Sequence, residues 1–72
     1  MLTYKDVSSS YIKAIGFDDE TGTLGAIFHN GSEYHYANVP AKTYHQVMGA
    51  ESVGTTFDEL IKRGKFVYKR AR

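Results

Sequence analysis

An Asn-Gly pair at 30–31 restricts the fold of this chain more than any other feature. Asn-Gly readily adopts the positive φ values of a tight hairpin turn, so the β-rich stretches on either side, 23–28 and 32–39, are predicted to be neighbouring antiparallel strands. The turn also decides which sheet face Tyr34 and Tyr36 occupy, because one residue of slip moves a whole strand to its other face.

Two turn geometries are compatible with this sequence. A two-residue turn pairs His29 with Ser32 and places both tyrosines on the face of Ile27. A three-residue loop with Gly31 in a bulge pairs Phe28 with Ser32 instead. The three-residue loop separates apolar from polar side chains more cleanly, so we favour it and expect both tyrosine rings under the helices. The apolar face then holds Leu24, Ala26, Phe28, Tyr34 and Tyr36.

A third β-rich run lies at 11–17, and its short connection to the hairpin allows only antiparallel pairing. Its inward positions are open to two interpretations, because Ile12 and Ala14 compete with Ile15 and Phe17. The three runs together predict an antiparallel meander.

Two helices are predicted after the meander. Pro40 fits the first position of the first helix, and Gly49 fits its end. The second helix has two candidate caps, either Ser52 or a capping box of Thr55 with Asp58. Each helix carries one apolar stripe at helical spacing, which indicates that both pack on the sheet.

The last residues complete the predicted architecture. Gly64 is expected to close the second helix in a left-handed conformation, and residues 65–72 either add a strand to a sheet edge or stay frayed. The fold class is therefore α+β: a small three-stranded antiparallel meander, with or without a short C-terminal strand, covered on one face by two short helices. The predicted core consists of Ile15, Phe17, Leu24, Phe28, Tyr34, Tyr36, Tyr44, Val47, Met48, Phe57, Leu60 and Ile61.

Length and composition limit the chemistry. A chain of 72 residues is expected to form one domain over 1–72, which needs nearly all its large apolar side chains for one core. It has no Cys, no paired carboxylate completes a metal-ligand set with its three His, and nothing supports a serine nucleophile, so we expect no metal, no cofactor and no enzymatic activity. It shows neither a signal-peptide core nor an apolar run of membrane-spanning length, so we expect a cytoplasmic protein with no membrane partner.

Charge is distributed unevenly along the chain. Residues 1–61 carry three Lys against all eight acids, a net charge of −5, whereas residues 62–72 carry six cations and no acid. This basic tail, 62–72, interleaves cations with aromatic rings, which suits phosphate neutralisation and base stacking. The alternative without a binding role is a solvated C-terminus, in which Lys62 and Arg63 only stabilise the end of the second helix. The predicted binding residues are Lys62, Arg63, Lys65, Tyr68, Lys69, Arg70 and Arg72.

Several stretches occur in an order and spacing that match a known family. They are SSSYIKAIGFD at 8–18, TLGAIF at 23–28, YHY at 34–36 with a following Val-Pro, SVGTTF at 52–57, and KFVYKR at 65–70. From about Val7 to Arg70, the chain resembles the KTSC domain, a family named for the C-terminus of certain lysyl-tRNA synthetases. The resemblance implies a small free-standing bacterial or phage protein, related to an appendage of a tRNA-handling enzyme, with RNA binding as a suggested role.

Two functions are compatible with these features. The favoured one is a small binding module that contacts RNA, or another nucleic acid, through the basic tail. The alternative is a protein-interaction module, for example a phage-type regulator that docks on an acidic surface of the host RNA polymerase or ribosome. Because the rest of the chain is acidic, we expect nucleic-acid binding to be weak and salt-sensitive.

Overall fold

The computed structural model describes residues 2–72 and contains a five-stranded antiparallel sheet with two helices on one face. The strands are β1 (Thr3–Asp6), β2 (Ile12–Asp18), β3 (Thr23–Phe28), β4 (Glu33–Tyr36) and β5 (Tyr68–Arg70). The helices are α1 (Ala41–Met48) and α2 (Val53–Phe57), and α2 continues into a π-helical turn at Asp58–Lys62. The strands lie in sequence order, so both helices are inserted between the neighbours β4 and β5.

The α+β class is confirmed, but the sheet has five strands rather than three. The sequence analysis did not predict β1, because residues 3–6 show no alternation of apolar and polar side chains. In the structure only Tyr4 of this strand is partly buried, and the other side chains are exposed. At the opposite edge, the C-terminal strand does form. Residues 68–70 pair with β4 instead of fraying.

The hairpin between β3 and β4 has the three-residue loop. Gly31 adopts a φ of 92°, and the Phe28 N–H donates to the Ser32 carbonyl at 2.9 Å. Tyr34 and Tyr36 therefore lie on the apolar face of the sheet, as predicted.

A β-bulge in β2 explains why residues 11–17 allowed two interpretations. The register shifts between Ile12 and Ala14, so Lys13 is an extra residue in the strand. Ile15 faces the helices as predicted, and the bulge returns Ile12 to the same face, where both side chains are fully buried. Ala14 turns to the opposite face.

The core lies between the sheet and the helices. Phe57 of α2 is fully buried, and its ring meets the rings of Phe28 and Tyr36 edge-on, with centroids 6.0 and 5.8 Å apart. Every residue of the predicted core belongs to this cluster or packs against it. The structure adds Ile12, Ala26 and Val39.

The helix ends follow the sequence signals with two exceptions. α1 ends before Gly49 as predicted, but it begins at Ala41, so Pro40 is its extended N-cap residue and not the predicted first helical position. Ser52 caps α2, because its hydroxyl oxygen accepts the backbone N–H three residues later at 3.4 Å. The prediction of a left-handed Gly64 is wrong, since Lys65 adopts that conformation with a φ of 61°. Glycine is needed at 64 because a Cβ there would collide with the backbone of the preceding turn.

Tyr4 lies across the sheet face opposite the helices. Its neighbours along the row are Gly16 of β2 and Gly25 of β3. A Cβ on Gly25 would collide with the Tyr4 hydroxyl, so the two glycines leave the space in which the ring lies. The hydroxyl donates to the Glu33 carboxylate at 2.5 Å, which joins the edge strand β1 to β4 across two intervening strands.

Glu33 collects further partners on this face, and we call Tyr4, Glu33, His35 and Arg72 the Glu33 cluster. The His35 Nε2 lies 2.8 Å from one carboxylate oxygen, and the Arg72 guanidinium lies 2.9 Å from the other. Hydrogen bonds from Tyr4 and His35, aided by the charge of Arg72, hold the pKa of the Glu33 carboxyl below its usual value. Burial, followed by the nearby carboxylate, raises the pKa of the Tyr4 phenol.

Replacing Phe57 with Ala should lower the free energy of unfolding by about 3–5 kcal/mol, because a fully buried aromatic ring leaves a cavity. Urea denaturation would measure this loss. Val67→Ala is the control, since the Val67 side chain is 75% exposed and its truncation should change stability little. Equal melting behaviour of the two variants would remove Phe57 from the core.

Replacing Glu33 with Gln should destabilise the protein at neutral pH and progressively less in acid. A carboxyl whose pKa falls on folding stabilises the native state fully above its unfolded pKa, near 4.5, and this contribution disappears as the pH drops through the lower native pKa. Urea denaturation of both proteins from about pH 7 to about pH 3 would show the difference narrowing. Glu20→Gln in an exposed turn is the matched control. A difference that stays constant with pH would contradict the assignment.

Candidate functional site

The helices leave part of the apolar sheet face open, between the β3–β4 loop, β5 and the π-helical turn. A cleft of about 600 Å³ lies there, and we call it the aromatic cleft. Its apolar wall is built by five rings that come from β3, β4, β5 and the residue before β2. These rings belong to Tyr11, Phe28, Tyr34, Tyr36 and Tyr68.

Contacts between the rings fix their positions. Tyr68 is tilted against Tyr36 and Tyr34, with centroids 5.5 and 5.9 Å away. Tyr11 lies nearly parallel to Phe28, with an interplanar angle of 7° and centroids 6.0 Å apart. Tyr36 is buried, whereas Tyr68 remains 60% exposed. An exposed ring on a buried aromatic support is suited to stack on a flat ligand.

The polar lining of the cleft contains no carboxylate among residues 2–72, although the chain has eight acidic residues. The polar side chains are Ser10, His29, Asn30, Ser32 and Lys62. The cleft therefore offers an anionic ligand no repulsive side chain in its wall.

Asn30 presents hydrogen-bond donors at the tip of the hairpin. Its Oδ1 accepts the Ser32 N–H at 2.9 Å. Because a backbone N–H must face the amide oxygen, the amide nitrogen with its two hydrogens points away from this bond. Among residues 2–72 no side chain or backbone group accepts a hydrogen bond from that nitrogen, so its donors are open to a ligand.

Two cations border the cleft. The Lys62 ammonium lies 5.9 Å from the centroid of the Tyr11 ring, in cation–π range, and 3.9 Å from an Asp58 oxygen. Arg70 donates to the Ser32 hydroxyl at 3.3 Å, which holds its guanidinium at the rim. Both side chains therefore contribute positive charge at the rim of the cleft.

The structure distributes the seven predicted binding residues over different surfaces. Lys62, Tyr68 and Arg70 border the aromatic cleft. Lys69 alternates to the opposite face of β5, in register with His35. Arg72 belongs to the Glu33 cluster on that same face.

The other two predicted cations, Arg63 and Lys65, directly follow the π-helical turn. Arg63 approaches Asp58 at 3.8 Å, because the π-helical turn brings residues five apart together. Lys62 also approaches Asp58, at the long distance of 3.9 Å. Lys65 lies in the exposed bend that leads to β5.

Two of the cleft phenols are neutral at physiological pH. Burial, followed by the influence of Tyr68 and Tyr34, raises the pKa of Tyr36 to about 12. Burial, followed by the charge of Asp58, raises the pKa of Tyr11, whose hydroxyl donates to the Gly54 carbonyl at 2.9 Å. Neither ring therefore adds negative charge to the cleft.

Sequence reasoning missed Tyr11 and Asn30 as site residues, and it favoured a place in the core for Tyr34 and Tyr36. Six of the ten cleft residues come from the β3–β4 hairpin, two directly precede β2, and the basic tail contributes two. The signal in the sequence was the Asn-Gly loop. It sets the strand register that places the tyrosines, and the Asn30 amide supplies hydrogen-bond donors at its tip.

Two further features of residues 2–72 concern metal ions and membranes. Within residues 2–72, no three His, Asp or Glu side chains gather in a group that could hold a metal ion. His29 and His35 have other partners, since His29 Nε2 lies 3.1 Å from the Ser9 carbonyl oxygen and His35 contacts Glu33. No helix in this part of the chain has the length and apolar character needed to cross a membrane.

Known proteins share this fold and sequence. The crystal structure of a KTSC domain protein from Yersinia pestis has a TM-score of 0.90 at 36% identity, and the match covers 100% of both chains. A protein from Stutzerimonas stutzeri is 30% identical over 64 residues, which is 89% of this chain and 90% of that protein. A lysine–tRNA ligase from Nostoc sp. is 38% identical over 61 residues, which is 85% of this chain but 11% of the ligase.

The sequence profile of the KTSC domain matches residues 8–66. The matched range contains the hairpin, both helices and every ring of the aromatic cleft except that of Tyr68. With this profile over most of its length and a close structural neighbour of the same name, the chain belongs to the KTSC domain family.

Proposed function

We propose that this protein is a non-enzymatic module that binds single-stranded RNA, or another unpaired nucleic acid, at the aromatic cleft. One observation carries the proposal: an exposed Tyr68 ring and two rim cations surround a cleft without carboxylates. A nucleotide combines the matching features, a flat base with π faces and a negatively charged phosphate.

The shape of the cleft favours unpaired bases over a duplex. Its rings lie in a depression of the sheet face, so a base must leave its stack to reach them. In A-form RNA the major groove is too deep and narrow for side chains to read, whereas splayed bases of single strands stack on aromatic rings. The proposed ligand is therefore a single-stranded segment or loop.

The relatives support RNA over other anionic ligands. The Nostoc relative is named a lysine–tRNA ligase, and this chain matches 11% of its length. We extend the association with RNA from that protein to this one, and we propose a cytoplasmic location, where RNA is available. The net charge of −5 over residues 1–61 opposes a polyanion, so the affinity is modest and falls with salt.

A second candidate function is supported by the free edge of the sheet. β5 is an edge strand, and Val67 and Tyr68 beside this edge are 75% and 60% exposed. An extended segment of a larger assembly would pair with this edge as an added strand. The RNA polymerase or the ribosome is such an assembly, and an acidic surface around the segment would face the cations of β5. The strand is short and carries Lys69 and Arg70, features that protect edges from such pairing, so we rank this function second.

Replacing Tyr68 with Ala should weaken binding of a single-stranded RNA by at least about fivefold, because one base–aromatic stack is worth about 1–3 kcal/mol. Fluorescence anisotropy with a labelled RNA of mixed sequence at low salt would measure the change. Val67→Ala removes exposed apolar area next door and should bind like the wild type. Equal affinity of the folded Tyr68→Ala protein would exclude Tyr68 as a stacking platform.

Replacing Asn30 with Asp should also weaken RNA binding, by about tenfold or more. The Asp oxygen can still accept the Ser32 N–H, so the loop is kept, while two donors are replaced by a negative charge inside the cleft. Gln46→Glu is the matched control, because it makes the same change in charge at an exposed position on α1. The same anisotropy titration compares them, and equal losses in both variants would mean that only net charge matters.

A further inference from the structure

We propose that the aromatic cleft takes one unpaired nucleotide and that the protein contacts only the two phosphates flanking it. This inference rests on the proposed function and defines its footprint. It differs from the picture suggested by the sequence, in which the whole basic tail forms one ligand-contacting surface.

The size of the cleft supports a footprint of one base. Its volume of about 600 Å³ is that of a site for a single small ligand rather than of an extended channel. The wall has one strongly exposed ring, Tyr68, and the other rings support it from partly or fully buried positions. A tract of stacked bases would need several exposed rings in a row.

The positions of the cations support two phosphate contacts. Lys62 lies over the Tyr11 ring, and Arg70 is held by Ser32, so the two positive groups stand at different points of the rim. Two separate positive groups at the rim match in number the phosphates before and after one inserted base.

The remaining cations of the tail are directed elsewhere. Lys69 projects from the opposite face of β5, and Arg72 is held there by Glu33 at 2.9 Å. Arg63 approaches Asp58 at 3.8 Å. Lys65 lies in the bend before β5 and does not line the cleft. The strand alternation of β5 therefore divides the tail between two faces, and only one face holds the ligand.

Salt dependence distinguishes the two footprints. For a single strand, the slope of log K against log salt is about −0.7 per phosphate neutralised, so two contacts give about −1.4 and six give about −4. The slope is independent of the absolute affinity, so it reports the number of contacts even when binding is weak.

The experiment is an anisotropy titration of the full chain with labelled oligouridylates of increasing length at several KCl concentrations. We expect a slope near −1.4, and an affinity that rises up to about three nucleotides and then levels off. Arg70→Gln should reduce the magnitude of the slope by about 0.7. Lys69→Gln is its matched control, because the adjacent side chain on the other face carries the same charge and should leave the slope unchanged.

Each contrary result has a distinct meaning. A slope near −4 that responds equally to Lys69→Gln and Arg70→Gln would overturn the one-nucleotide footprint while leaving RNA binding intact. Equal binding of a blunt duplex would also overturn the footprint, since a paired base cannot enter the cleft. Failure of the folded protein to bind any of the single strands at low salt would remove both the footprint and the proposed function.

Discussion

The hydrogen bond that closes the three-residue loop between β3 and β4 is the constraint on which the rest of the structure depends. With the Phe28 N–H on the Ser32 carbonyl, alternate residues of β4 are committed to opposite faces. Tyr34 and Tyr36 then join the apolar face, and Glu33 is free to collect its partners on the other face. A loop shorter by one residue would exchange these roles and would remove both the core and the cleft.

β5 connects the two faces because consecutive side chains of a strand point in opposite directions. Tyr68 and Arg70 complete the aromatic cleft, whereas Lys69 and the following Arg72 lie on the side of the Glu33 cluster. The salt bridge of Arg72 with Glu33 is largely exposed on the Arg side, so it contributes modestly by itself. Backbone hydrogen bonds between Glu33 and residues 71–72 act with it to fasten the end of the chain beside the cleft.

The placement of charge around the cleft bears on the proposed binding of a polyanion, because residues 1–61 carry a net charge of −5. The eight acids lie outside the cleft lining, and the Glu33 carboxylate is directed away from it and neutralised by its partners. Asp58 is the acid that lies near the rim, and its carboxylate contacts both Lys62 and Arg63. Local placement of charge, rather than net charge, therefore governs what the proposed site accepts.

The sequence by itself determined the features that depend on neighbouring residues: the α+β class, the hairpin register, the helix boundaries at Pro40 and Gly49, and the membership of the core. Turn chemistry and apolar periodicity act over a few residues, so they can be read directly. Only the tertiary structure decided the exposed strand β1, the bulge at Lys13 and the gathering of Tyr11 with Tyr68 in one cleft. These features depend on contacts between segments that are far apart in the chain. The pairing of β5 with β4, and not the composition of the tail, placed its cations on different faces of the sheet.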